Sequence, residues 1–168
     1  MAENVTHYKA MSTGLGSIRV MAKPDTSASP SAVFAAMEKL GITHVVSLLE
    51  TNEAKALGLQ NEATLCASNN IGFINFPIED MSLPSDFDAF VAIADELHRM
   101  AKIGAQIVIH CRAGIGRSGM LACAVVMNEK INSSKAIKIV ANARGLDIPD
   151  TAEQRDFIHL LDERLQTL

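Results

Sequence analysis

An apolar run that ends in a cysteine, followed by a glycine-bearing turn and an arginine at the start of a second apolar run, leaves a chain few ways to fold. Ile107-Val108-Ile109 reads as a buried strand that delivers His110 and Cys111 to a turn containing Gly114 and Gly116, closed by Arg117 and Ser118. Gly119 to Lys130 is strongly apolar and reads as a central buried helix. The glycines let backbone N–H groups converge without Cβ clashes, and the helix starting near Ser118 adds the positive end of its dipole, so the turn is an oxyanion seat. Arg117 supplies a planar fork for two oxygens of one anion. Cys111 lies in the same field, which favours thiolate, the nucleophilic form, over thiol. A tetrahedral dianion such as phosphate fits this seat, with Arg112, Ala113, Gly114, Ile115, Gly116 and Arg117 as the binding set.

His110 to Ser118 resembles, at each fixed position, the H-C-x5-R-S/T signature of cysteine-dependent protein tyrosine and dual-specificity phosphatases. The match is specific, because the strand before, the helix after, the paired glycines and the flanking histidine and serine are the context the motif requires. The resemblance implies that His110 holds the loop and helps bring Cys111 to its thiolate form. It also implies that the Ser118 hydroxyl stabilises the thiolate when it later leaves. The implied substrate is a phosphorylated protein, with no cofactor and no metal.

Expelling an alkoxide or phenoxide from phosphorus calls for a carboxylic acid. Phe76-Pro77-Ile78-Glu79-Asp80-Met81-Ser82-Leu83-Pro84 resembles the acid loop of small phosphatases of the kinase-associated kind, where an aspartate follows a proline and an apolar residue and precedes a second proline. That pattern implies Asp80 as general acid. It lies about 30 residues before the cysteine, room for one helix and one strand to bring both loops to one edge. Glu79 is its rival; Asp86 and Asp88 suit the first turn of a helix without any catalysis. Asp150-Thr151-Ala152-Glu153-Gln154 resembles the T-x-x-Q segment that orients the attacking water in related enzymes, which implies that role for Gln154. Arg144 is expected to anchor the segment leading to Thr151. His44, His98 and His159 show no ligand spacing.

The rest of the chain alternates between strand and helix. Ser17 to Ala22, Ile42 to Leu49 and Ile71 to Ile78 read as strands. A helix begins at Ser29 or Ser31 and stops at Gly41; Thr51 to Asn69 is helix and loop broken near Gly58. A long helix from Pro84 buries Phe87, Phe90, Val91, Ala94, Leu97, Met100 and Ala101. Ser133 to Ala143 follows with a capping serine pair, and Thr151 to Leu168 turns Phe157, Ile158, Leu160, Leu161 and Leu165 inward. The fold class is α/β, a mainly parallel central sheet flanked by helices on both faces, in one domain over residues 1–168 with a loosely structured extension over 1–16. Ligands belong at the carboxyl ends of its strands.

A chain of 168 residues with 48% hydrophobic and 20% charged residues reads as one ordinary globular domain, and a net charge of −4 gives no basic field for nucleic acid or an anionic membrane. Three cysteines make no even framework, so a reducing, cytoplasmic setting is expected, with Cys66 and Cys123 as small buried hydrophobes. A monomer is expected. Two alternatives stand beside a protein phosphatase: a phosphatase of a non-protein substrate such as a phosphoinositide, which Arg112 keeps open, and a phosphoprotein-binding pseudophosphatase. Within the first reading, the short chain leaves little room for a loop that deepens the cleft, so phosphoserine and phosphothreonine stand open beside phosphotyrosine.

Overall fold

Among residues 10–12 and 14–166, which the computed structural model describes, five strands form one sheet. They are β1 (Ala10–Ser12), β2 (Ser17–Met21), β3 (His44–Ser47), β4 (Gly72–Asn75) and β5 (Gln106–His110), in the order β1-β2-β5-β3-β4. The last four run parallel, and β1 pairs antiparallel with β2, Ala10 opposite Arg19. The segment expected as a loose extension therefore supplies an edge strand at Ala10–Ser12, while residues 1–9 lie outside the described residues.

Among the described residues seven helices connect and cover the strands: α1 (Pro30–Lys39), α2 (Thr51–Ala56), α3 (Glu62–Ala67), α4 (Phe87–Lys102), α5 (Arg117–Met127), α6 (Ser133–Arg144) and α7 (Ala152–Gln166). Alternation along each strand decides which layer a side chain joins. Ile18, Val20, Val46, Ile107 and Ile109 pack with α4, α5, α6 and α7 in the larger core, whereas Met21, Val45 and Val108 face α1 and α3 on the other side. Every residue of α5 is buried, which is why its sequence is apolar all round.

The helix boundaries follow from caps. Ser29, not Ser31, caps α1, its Oγ accepting from Ala32 N at 3.4 Å with Pro30 at the first position. The break between α2 and α3 falls around Gly58, at φ +73°. Asp86 caps α4 by accepting from Ala89 N at 3.0 Å. For α6 the capping residue is Asn132, which accepts from Lys135 N at 2.9 Å, rather than the expected serine pair. Ser133 is drawn away because its hydroxyl is shared between His159 and Asp162 of α7. On α7, Phe157, Ile158 and Leu161 are buried as expected, but Leu160 is 57% exposed, since the inward stripe of a helix is narrower than that apolar run.

Parallel strands send their carboxyl ends to a single edge. Met21 of β2 and Ser47 of β3 both lie opposite His110 of β5, and Asn75 of β4 lies opposite Ser47. The segments after β3, β4 and β5 thus leave the sheet side by side.

Candidate active site

Cys111 follows the end of β5 with only 2% of its surface exposed, and its Sγ stands 3.2 Å from Ser118 Oγ. The loop between them is held from outside. Lys23 N donates to the Arg112 carbonyl at 3.1 Å, and Arg144 donates from Nε to the Gly114 carbonyl at 2.9 Å and from Nη2 to the Ala113 carbonyl at 3.2 Å. Arg144, expected to anchor the segment before Thr151, instead ties down the loop itself. Gly114 has φ +71°, and a Cβ there would stand 2.4 Å from the Met21 carbonyl carbon, so both conformation and space demand glycine. Helix α5 begins at Arg117, slightly before the expected start, and Gly116 at its N-cap brings no side chain to its first amides.

Arg117 is 2% exposed, yet its fork is fully employed. Nη1 donates to Glu53 Oε1 at 2.7 Å and to the Ile78 carbonyl at 2.9 Å; Nη2 donates to Glu53 Oε2 at 2.8 Å and to Asp80 Oδ1 at 3.0 Å. The hydrogen bond from Arg117 holds the Glu53 carboxyl below its ordinary value, against the opposing effect of burial. Burial works against the Arg117 charge, but the bond to Glu53 and the neighbouring charges of Cys111, Glu53 and Asp80 outweigh it, so its affinity for the proton rises.

Cys111, Arg117, Asp80 and Gln154 line one cleft of about 90 Å³, together with Arg112, Ala113 and Gly116 of the loop. Asp80 reaches it from the segment after β4 with its side chain 47% exposed. Glu79 does not line the cleft, Asp86 is taken up as the α4 cap, and Asp88 pairs with Arg164. Gln154 is fully buried: its Oε1 accepts from Asp150 N at 3.2 Å and Thr151 N at 3.1 Å, and its Nε2 donates to the Ser82 carbonyl at 3.2 Å. It thereby ties the first turn of α7 to the segment carrying Asp80. Gly114 and Ile115 do not line the cleft; the first lies against Met21 and the second packs on the larger core. Asp150 and Met81 line it although sequence reasoning passed over both.

Two more acids were missed. Glu53 lies 64 residues before Arg117, and Glu62 lies 48 residues before His110, whose Nε2 is 2.7 Å from Glu62 Oε2 while Nδ1 is 3.2 Å from the Cys111 carbonyl. Glu53 carries one local signal, its position closing a capping box with Glu50 at the start of α2. Burial, then the charge of Glu62, pushes the Cys66 thiol up to about 12; burial pushes the Cys123 thiol up as well. Both fit the expected inert hydrophobes. The other histidines among the described residues sit in separate local contacts, His44 with Thr43, His98 with Glu129 and His159 with Ser133.

Comparison with known proteins shows the family and the fold. The family model of the dual specificity phosphatase catalytic domain matches residues 26–162. Dual specificity protein phosphatase 26 of Bos taurus is 32% identical over 135 residues, covering 77% of this chain and 59% of that protein. Cyclin-dependent kinase inhibitor 3 of Mus musculus is 25% identical over 134 residues, covering 69% and 63%. The chain thus spans less than two thirds of the length of these curated relatives. The crystal structure of kinase associated phosphatase, with its catalytic-site cysteine substituted by serine, superimposes with a TM-score of 0.85 at 20% identity over 96% of this chain and 97% of that one. No helix among the described residues is long and apolar enough to cross a membrane.

Proposed function

The chain belongs to the dual specificity phosphatase family, and from that premise we propose that it hydrolyses phosphotyrosine on proteins, and phosphoserine and phosphothreonine with it, through a phosphocysteine intermediate. The observation that carries the reading is the convergence of Cys111, Arg117 and Asp80 on one cleft of about 90 Å³, with Ser118 Oγ 3.2 Å from the Cys111 sulfur.

Phosphate docks on the amides of the loop residues that line the cleft, Arg112, Ala113, Gly116 and Arg117, and on the Arg117 guanidinium, which stabilise its charge as the bond to the leaving oxygen breaks. The Cys111 thiolate attacks phosphorus in line, and Asp80 gives its proton to the departing oxygen. Asp80, now a carboxylate, takes a proton from water as that water attacks the phosphocysteine. Gln154 has two Nε2 hydrogens and gives one to the Ser82 carbonyl, so the second serves the attacking water. Ser118 stabilises the sulfur as phosphate leaves, and His110 supports the loop from below.

The charges around the cleft support a phosphorylated side chain over a polyphosphorylated lipid headgroup. Among the described residues Arg112 is the one cation lining it besides Arg117, and Asp80 and Asp150 line it as well. A bare tyrosyl, seryl or threonyl phosphate carries no second phosphate for these acids to repel. The same reading has the chain acting as a monomer on cytoplasmic phosphoproteins, without nucleic acid, membrane or cofactor; sedimentation equilibrium tests the monomer.

Kinetics on matched phosphotyrosine, phosphoserine and phosphothreonine peptides, with a phosphoinositide as comparator, test the substrate class. Turnover of all three peptides is expected, phosphotyrosine fastest. Strict rejection of phosphoserine and phosphothreonine narrows the reading to tyrosine, and preference for the lipid overturns it.

A further inference from the structure

Helix α2 buries none of its side chains, yet two of its faces are in use. Helical spacing puts Thr51, Ala54 and Lys55 together and Glu53 on the opposite side. Glu53 grips Arg117 at 2.7 and 2.8 Å, whereas Thr51, Ala54 and Lys55 wall a separate cavity of about 210 Å³. That cavity is bounded by α2, the start of α3 and the carboxyl ends of β3 and β4, and it has more than twice the volume of the cleft at Cys111, which is about 90 Å³.

Its chemistry is divided. Leu49 and Leu59, 1% and 2% exposed, and the half-buried Phe73 make an apolar floor and wall. Thr51, Lys55 and Gln60 add donors on the exposed side, and among the described residues no hydrogen bond or ion pair ties down any of these three side chains. Asn75 is engaged within the protein, its Nδ2 donating to the Ser47 and Leu49 carbonyls at 2.9 and 3.0 Å. Glu62 also borders the cavity, but it is 2% exposed and its Oε2 lies 2.7 Å from His110 Nε2. A lysine in the last turn of α2 suits the helix dipole, but a dipole calls for no cavity beside it. An apolar body with one anionic end matches the whole layout, the body on Leu59 and Phe73 and the anion on Thr51 and Lys55.

We propose that this cavity is a regulatory binding site for a small amphiphilic anion, and that its occupancy reaches Arg117 through α2. At about 210 Å³ it falls below the roughly 300 Å³ at which pockets for drug-sized molecules begin, so one or two fused rings with a single carboxylate or sulfonate fill it. The site stands on the cavity alone; its effect on catalysis rests on Arg117 binding phosphate, as argued above. Because none of its six residues is buried, α2 is held chiefly by its Glu50–Glu53 capping box and by the pair with Arg117. A ligand packed against Ala54 adds an apolar contact to the turn that carries Glu53. It thereby steadies that carboxylate, and the guanidinium it grips, in the plane that phosphate meets. The coupling is reciprocal, so phosphate on Arg117 tightens the ligand by the same factor.

Naphthalenesulfonate is the probe, having the required shape and charge and no phosphorus to hydrolyse. Titrated into the isotope-labelled protein with the loop saturated by inorganic phosphate, it is expected to shift the amide NMR signals of Ala54, Ala63 and Phe73. Lys55→Glu weakens its binding about tenfold. Ala63→Phe, which fills the cavity from an exposed position on α3, abolishes it. At saturation the probe lowers KM for an aryl phosphate about threefold with little change in kcat, and in Glu53→Gln it still binds but leaves KM where it was. Shifts confined to the loop at residues 111–117, binding unaffected by Lys55→Glu, or an unmoved KM in the unaltered protein overturn the proposal. Absence of turnover in the unaltered protein overturns the phosphatase reading instead. The affinity for inorganic phosphate with and without the probe then decides the matter, and equal affinities overturn the coupled site.

Discussion

Glu53 grips Arg117 through both carboxylate oxygens, Oε1 on Nη1 at 2.7 Å and Oε2 on Nη2 at 2.8 Å, so the plane of the guanidinium is fixed from outside the phosphate loop. With Ile78 and Asp80 on the same two nitrogens, all four terminal N–H bonds are committed. In the proposed reaction a docking phosphate is expected to take over the Nη2 bond that Asp80 holds, which frees that carboxyl for the leaving oxygen.

Replacing Glu53 by glutamine removes the charge that pairs with a buried cation. Folding stability at pH 7 is expected to fall by about 2 kcal/mol, and kcat/KM by about tenfold. The pH dependence has a definite sign. Because Arg117 holds the Glu53 carboxyl below its ordinary value of 4.5, the folded state binds that proton more weakly than the unfolded chain. The stabilisation is complete above the ordinary value and is lost as pH falls through the lower, folded one. Denaturant titrations of both proteins therefore give a stability gap that is full at neutral pH and closes in acid; a gap that widens in acid contradicts the pair's role.

Asp80→Asn removes the proposed proton donor but leaves an amide where the carboxyl bonded to Arg117. The expected loss in kcat is about a hundredfold on an alkyl phosphate, whose leaving oxygen needs the proton, and much smaller on a nitrophenyl phosphate, whose leaving oxygen does not. Steady-state kinetics on the two substrates check it. Unchanged turnover of the alkyl phosphate passes the role to another acid, Glu79 first.

Two glycines with similar backbone angles separate strain from space. Gly41 has φ +83° and nothing within 4 Å of the place a Cβ would occupy, so alanine there costs about 1 kcal/mol of left-handed strain and leaves activity intact. Gly114 has φ +71° and backbone atoms of Met21 and Ala22 within 2.5 Å of a Cβ. Gly114→Ala must displace the loop from β2, and a loss of turnover greater than any change in stability is expected. Thermal melting with parallel kinetics distinguishes them; full activity in Gly114→Ala contradicts the loop's fixed seat.

Arg144→Gln releases the Ala113 and Gly114 carbonyls from their outer anchor. KM for an aryl phosphate is expected to rise about tenfold, because a loop free to turn its carbonyls inward no longer presents a uniform set of amides. An unchanged KM with a lower melting temperature makes the contact structural alone.

What could be read from the chain was what lies contiguous in it. Strand β5, the cysteine loop and α5 are consecutive, so their order and the glycine spacing carried the strand–loop–helix that forms the cleft floor without any tertiary contact. The segment that brings Asp80 to the cleft was legible because two prolines frame it. Glu53 and Glu62 were not, because each acquires its meaning from a partner 64 and 48 residues away, and an acid on a short helix otherwise reads as solvated. Arg144 was read as an anchor with the wrong attachment, since side-chain reach across the fold has no signature in spacing. The α6 cap went to Asn132 because a long-range contact with α7 claimed Ser133, and the short strand at Ala10–Ser12 exists through pairing with β2 rather than through its own pattern.

The central claim is that Cys111 carries the phosphoryl group between two displacements. The direct measurement is rapid acid quenching during turnover of a nitrophenyl phosphate, followed by mass spectrometry of the Cys111 peptide. A phosphoryl adduct on Cys111 is predicted, with no turnover in Cys111→Ser and phosphate binding largely retained. Turnover by Cys111→Ser, or a phosphoryl group trapped on another residue, would contradict it.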